Sequence, residues 1–283
     1  MIRILTDSMS DICQEEAAAW GLEVLPLSVR FGQEEYLDGV ELSREDFFRR
    51  MVASDELPKT SQISPERFRD AFERALSDPQ DEVVCITGSS KLSGTYQSAV
   101  LARSFLEVPE RVHLIDSLSA SLGEAQLVLA ALHMRSTMAS GAVLAKKLLE
   151  IREHCQLVGQ LDELKYLVLG GRLNAAVGAV GSSLHIKLML RMSDGRLHQA
   201  GLCRSHAKVY QWYADQLRAC PPDPAYPVIV AGAMCDEETR AVISFIQDSG
   251  AAQGAPILQR YVGTVIGTYV GPNMTAMSWI KKA

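Results

Sequence analysis

The sequence is short of most residue patterns that announce chemistry. Its six cysteines stand at 13, 85, 155, 203, 220 and 235, and none form a Cys-x-x-Cys pair. That absence excludes the usual zinc and thioredoxin-like signatures, and a chain of 283 residues does not need a disulfide framework to fold. Cys85 lies inside the apolar run 83–86, so buried free thiols in a reducing cytosol are expected. Cations are in deficit, 28 Lys and Arg against 34 Asp and Glu, giving a formal charge of −6. Nucleic-acid-binding surfaces usually carry a basic excess, so no nucleic-acid partner is expected. Nor does any run approach the ~20 apolar residues of a membrane-spanning helix. Met1 to Asp7 carries no signal-peptide core, and a soluble cytoplasmic protein is expected.

Familiar catalytic fingerprints are missing too. Gly-x4-Gly-Lys-Ser/Thr does not occur, the first strand-to-helix turn has no Gly-x-Gly-x-x-Gly, and there is no Gly-x-Ser-x-Gly elbow. The six histidines, at 113, 133, 154, 185, 198 and 206, are scattered and form no cluster at metal-ligand spacing. No cofactor and no metal are expected.

What is present is an ordinary globular composition, 47% hydrophobic and 22% charged, in a length that suggests about two domains. Strand-like runs at 2–6, 22–31, 82–87 and 111–116 alternate with helical spacing at 12–20, 95–106 and 121–139. Ser43 with Asp46, and Ser64 followed by Pro65, mark two further helix starts. Residues 33–36 look like a hairpin return, and 59–63 like a polar extended link. This alternation predicts an α/β domain over 1–150, with a mainly parallel sheet, helices on both faces and ligands at the carboxyl ends of the strands. After Gly141 the pattern loosens. A helix is expected over 142–154, helical spacing over 161–167, and a small apolar run over 175–183. A hairpin follows around Ser193-Asp194-Gly195, then a helix over 205–219, a strand over 226–233 and a helix over 236–248. Residues 257–262 and 264–268 read as extended. A second domain, α+β with a mixed or antiparallel sheet, is expected over 151–283.

Loops of the first half are rich in hydroxyls. Gly88-Ser89-Ser90-Lys91-Leu92-Ser93-Gly94-Thr95 joins a strand to a helix, which sets free backbone N–H groups and hydroxyls at a helix N-terminus. Asp7-Ser8 and Asp116-Ser117 are expected at the same sheet edge. Hydroxyls and amides suit a carboxylate or phosphate, but without an evident general base they do not suit nucleophilic catalysis. For any single one of them a helix cap or turn remains the plainer reading.

Seven segments, in order, resemble the DegV family. They begin with Ile4-Leu5-Thr6-Asp7-Ser8-Met9-Ser10-Asp11, Thr60-Ser61-Gln62-Ile63-Ser64-Pro65 and the serine loop through Tyr96. Asp116-Ser117 with Ser121-Leu122-Gly123, and Tyr166-Leu167 with Gly170-Gly171-Arg172-Leu173, come next. Gly181-Ser182-Ser183-Leu184-His185-Ile186-Lys187 and Ile266-Gly267-Thr268-Tyr269-Val270-Gly271-Pro272 complete the set. One such motif is weak; seven across the whole chain are specific.

The resemblance implies a non-catalytic carrier of long-chain fatty acids, with the tail in a tunnel of the first domain and the carboxylate near the domain junction. It further implies an ATP-using fatty acid kinase partner that forms the acyl phosphate, delivery to phospholipid synthesis, and room for transient membrane contact. By motif position Thr60 and Ser93 are expected to hydrogen-bond the carboxylate, and Arg172 to supply charge from the second domain. Tyr269, Ser61 and Gly94 complete the expected ligand-binding set. The family often has His at the position of Tyr269; a phenol can donate to a carboxylate but cannot become cationic. Plainer roles are a turn for Thr60, a helix cap for Ser93, and an ion pair with Asp162 or Glu163 for Arg172. A serine hydrolase or acyltransferase using Ser93, and a module sensing another small anion, are the rival readings.

Overall fold

The computed structural model describes residues 1–54, 56–172 and 186–282. The small apolar run at 175–183 and the part of the sixth motif at 181–185 lie outside the described residues. The chain opens with strand β1 (Ile2–Asp7), a 3-10 turn (Ser8–Ser10) and helix α1 (Gln14–Trp20), which Gly21 ends at φ +63°. Two strands, β2 (Glu23–Leu25) and β3 (Ser28–Phe31), replace the single strand expected over 22–31. Pro26 lies between them, and with no N–H it cannot continue a ladder. β4 (Glu34–Leu37) returns antiparallel to β3, and helix α2 (Arg44–Ala53) starts at Ser43, whose Oγ accepts from the Asp46 N–H at 3.1 Å. β5 (Lys59–Ser61), expected as a link, is instead a third antiparallel strand that pairs Thr60 with Val29. Helix α3 (Pro65–Ala75), β6 (Glu82–Thr87), helix α4 (Thr95–Ser104) and β7 (Val112–Asp116) follow. Strands β2-β1-β6-β7, in that order, form a wholly parallel four-stranded sheet. The loop after each of its strands therefore leaves at one edge, as the alternation predicts.

Helix α5 (Leu122–Met134) is shorter than the expected 121–139, and α6 (Gly141–Arg152) follows it. α5 is buried nearly all round and carries no amphipathic stripe. Such a helix needs cover on every side. It finds that cover between β1 and β6 of the parallel sheet and three strands of a second sheet.

The second sheet begins at β8 (Cys155–Leu161), which takes the first residue of the expected 161–167 helix; helix α7 (Lys165–Gly170) starts four residues later. β9 (Lys187–Ser193) and β10 (Arg196–Cys203) form the expected hairpin, followed by helix α8 (His206–Ala219), β11 (Val228–Ala233), helix α9 (Asp236–Asp248) and β12 (Ile257–Tyr261). Residues 264–268 are not extended: Thr264–Val270 is a helix, α10, and β13 (Met274–Ile280) closes the chain. Thr264, Val265, Ile266, Thr268 and Val270 are β-branched and favour strands, but burial of the segment against α2 overrides that weak preference. Gly267 permits the contact, since a Cβ there would stand 2.7 Å from Phe48 Cζ. β13, not anticipated in the sequence, is central in the mixed six-stranded sheet β10-β9-β8-β13-β11-β12. Strand alternation splits this sheet's faces. Leu157, Leu161, Met274 and Ala276 join the core shared with the first half, while Val158, Met277 and Trp279 face α8 and α9.

Candidate ligand-binding site

A cavity of about 640 Å³ opens between the loop edge of the parallel sheet and the shared face of the six-stranded sheet. That size falls within the roughly 300–1,000 Å³ typical of small-molecule sites. Thr60, Ser61, Ser93, Gly94, Arg172 and Tyr269, from four separated stretches of sequence, all line it.

Each arrives by a local reason. Pairing of β5 with β3 sets Thr60 on a strand, not in a turn, and its Oγ1 lies 2.6 Å from the Tyr269 hydroxyl, with either atom able to donate. Tyr269 comes from the last turn of α10. The helix's first residues are held from the first half: the Gly263 N–H donates to Asp11 at 2.8 Å, and the Thr264 hydroxyl donates to Asp38 at 2.7 Å. Arg172 follows the Gly171 cap of α7. Its guanidinium carbon sits 4.6 Å above the Tyr269 ring, and its Nε donates to the Leu92 carbonyl at 3.4 Å, reaching the serine loop. The ion pair offered as its plainer role is not formed. Asp162 pairs with Lys187 and Glu163 with Lys165, both at 2.6 Å.

Ser93 keeps part of its plainer role. Its Oγ accepts from the Thr95 N–H at 3.2 Å and lies 2.8 Å from the Thr95 hydroxyl, tying down the first residue of α4. A Cβ on Gly94 would fall 1.9 Å from Gln62 Oε1, so a side chain there would displace the Gln62 amide. Gln62, not singled out in the sequence, donates to Ser98 Oγ at 2.8 Å and lines the mouth beside Lys91. Its place between Ser61 and Ile63 in the second motif was the available signal.

The other motif hydroxyls and acids hold loops in place. Asp7 accepts from the N–H groups of Met9 at 2.8 Å and Gly88 at 2.9 Å, and Ser8 Oγ accepts from the Leu27 N–H at 3.0 Å. Ser89 donates to the Gly195 carbonyl at 2.8 Å, joining the serine loop to the β9–β10 hairpin. Burial pushes the Asp7 carboxyl up to about 7 despite its two amide donors, and holds Glu124 well above the usual carboxylate range.

Below this polar mouth the lining is apolar. Leu157, Gly159 and Leu161 present alternate positions of β8, with Leu190 and Met192 on β9 and Ala276 on β13. The sequence reading assigns the tunnel to residues 1–150; the lining of this cavity comes from both halves of the chain. No His, Cys, Asp or Glu stands among the described residues that line it. The site can therefore offer hydroxyls, amides, the Lys91 ammonium and a guanidinium to an anion, and an apolar slot to whatever the anion carries. Among the described lining residues it offers Ser93 no imidazole or carboxylate base.

A family model described as "Uncharacterised protein, DegV family" matches residues 1–282. The chain belongs to the DegV family. A DegV domain-containing protein of Caldanaerobacter subterraneus is 32% identical over 286 residues, covering 99% of each chain. Among solved structures, a DegV family protein from Thermus thermophilus, described for its fatty acid binding, superposes with a TM-score of 0.88 at 29% identity over 99% of both chains. The Streptococcus pneumoniae fatty acid kinase B3 protein, crystallised with linoleic acid, shares the fold at a TM-score of 0.86, 21% identity and full coverage of both chains. Among the described residues no helix is long and apolar enough to cross a membrane.

Proposed function

We propose that this DegV family member binds a long-chain fatty acid, with the carboxylate among Thr60, Ser93, Tyr269 and Arg172 and the tail along β8. One observation carries the reading: six polar or small motif residues gather at one cavity whose wall on the six-stranded sheet is apolar. The relative from Thermus thermophilus, described as binding fatty acid, supports the ligand class. Burying about fifteen methylenes at roughly 0.8 kcal/mol each is worth about 12 kcal/mol before binding costs. A charge-assisted hydrogen bond adds only about 1.5–3 kcal/mol net. The tail thus dominates affinity and the mouth fixes orientation. Ser61 and Gly94 complete the mouth through hydroxyl and backbone.

The finer reading is that the protein presents the carboxylate to an ATP-dependent kinase partner for acyl phosphate formation. Its supports are the motif order and the shared fold of a protein named as a fatty acid kinase component. In this reading residues 1–150 and 151–283 act as two domains closing on the ligand. With Tyr269 unable to become cationic, Arg172 and Lys91 are the cationic side chains of the described lining that can accompany the head group. The hydrolase reading lacks a His, Asp or Glu base among the described lining residues.

The test is mass spectrometry of an organic extract of protein purified from cells, followed by titration with oleate and palmitate. Recovery of a long-chain acid, or its uptake, is expected. Repeated recovery without lipid, together with no uptake, overturns the reading.

A further inference from the structure

The floor of the cavity is as informative as its mouth. Leu161, near α7 and Tyr269, marks the mouth on β8, and Leu157 lies four residues deeper, about 13 Å along the strand. At Leu157 the sheet meets the start of α5: a Cβ on Gly123 would stand 3.4 Å from that of Leu157. Met9 lines the cavity and is tied to Ser121, the residue before α5. Its backbone is fixed on both sides, the N–H donating to Asp7 at 2.8 Å and the carbonyl accepting from the Ser121 N–H at 2.6 Å. Its side chain is 5% exposed and reaches Gly88, where a Cβ would lie 2.7 Å from both Sδ and Cε. The same Cβ would lie 3.1 Å from Oε2 of Glu124, so Gly88 leaves only a thin gap between the thioether and a buried carboxyl. Thr6 donates to Oε1 of that carboxyl at 2.9 Å, whereas Oε2 has no partner among the described residues.

We infer that Met9 sets the chain-length limit of the bound acid, its thioether acting as the end-stop that separates the tail from Glu124. The inference rests on the fatty-acid reading and adds the residue that decides which acids fit. A methionine suits the task, being unbranched and able to adjust its shape around a methyl terminus. Shortening it to alanine removes three heavy atoms from the floor, room for about two further methylenes, each worth about fourfold in affinity. The new floor also includes Glu124 Oε2, a polar atom without a partner.

The experiment measures affinity for a series of straight-chain saturated acids, differing by two carbons, in the wild type, Met9→Ala and Met9→Phe. In the wild type affinity rises with length and then stops. Met9→Ala is expected to move the stop out by about two carbons, with about tenfold or greater gain for the first acid past the wild-type limit relative to the acid just below it. Met9→Phe moves it the other way, so a collapse of the floor in one variant leaves the other to decide. Glu124 gives a second readout. In Met9→Ala an ω-hydroxy acid at the new limit gains over the plain acid of equal length, and adding Glu124→Leu removes that gain. An identical stop in all three proteins overturns the assignment of Met9 while leaving fatty-acid binding intact. Failure of the wild type to bind any acid removes the underlying reading instead.

Discussion

The two sheets contribute to one cavity in different ways. The parallel sheet lends its edge: loops after β1, β6 and β7 supply backbone amides, hydroxyls and short turns, and the rest of that sheet is packed away. The six-stranded sheet lends a face, on which Leu157, Leu161, Leu190 and Ala276 make a smooth apolar wall. Loops can hold donors at fixed positions because each is tied at both ends, as Asp7 ties Met9 and Gly88. A sheet face cannot easily offer converging donors, since its own N–H groups are spent on the ladder. It can offer length and dryness. In the proposed function orientation is thus set by the loops and affinity by the face, and each can be broken alone.

The largest effect is expected on the face. Ala276 is 3% exposed and lies in mid-wall on β13, next to Gly159 in the register. Ala276→Phe sets a ring on the proposed course of the tail, and acid binding should fall by at least a hundredfold, seen as the loss of co-purifying lipid and of oleate uptake. The Thr60–Tyr269 hydrogen bond and the loops lie outside the substitution and should hold. Retained oleate uptake would mean that the tail takes another course.

A smaller effect is expected at the loops. The double variant Thr60→Ala with Ser93→Ala removes two hydroxyls that already bond to Tyr269 and Thr95, so each is worth about 0.5–1.5 kcal/mol net toward a carboxylate, and affinity should drop by roughly five- to a hundred-and-fiftyfold yet remain measurable. Ser93 also ties the start of α4, and that loss alone costs about 1 kcal/mol of stability. Binding and thermal unfolding must therefore be measured together. Unchanged affinity in a folded variant would put the carboxylate elsewhere.

The same division decides what could be read in the sequence. Thr60, Ser93, Arg172 and Tyr269 were legible because polar residues in short loops stand out, and their order follows a family pattern. The wall was not. Leu157, Gly159 and Leu161 resemble any buried strand, and nothing in their spacing says that they face a cavity and not a helix. α10 was misread because five of its seven residues are β-branched. What makes it a helix is distant in sequence: Phe47 and Phe48 against Gly267, and the carboxylates of Asp11 and Asp38 at its first turn. β5 was read as a link because its three residues are polar, and only pairing with β3 makes it a strand. Met9 looked like part of a motif, and its role as a floor depends on Gly88 seventy-nine residues away.

The smallest effect expected separates the loops from the face by pH. Asp7 is fully buried beneath the serine loop, and burial raises its pKa from 3.8 to about 7, with Asp38 adding to the rise. Glu124, beside it, is raised in the same direction, chiefly by burial and then by Asp7. A carboxyl whose pKa is higher in the folded state binds its proton more tightly there than in the unfolded chain. Its contribution to stability is full below the unfolded value near 4, is lost as pH rises toward 7, and changes little above that. Between pH 8 and pH 5 these groups should therefore raise the unfolding temperature as acid is added, by a few degrees at roughly 2–4 °C per kcal/mol. Asp7→Asn keeps an acceptor for one of the two amides and removes the titration. Its unfolding temperature should fall below the wild type's by more at pH 5 than at pH 8. A gap that is constant across that range would show that the proton on Asp7 plays no part in holding the loops, and that the amide hydrogen bonds alone set the edge of the parallel sheet.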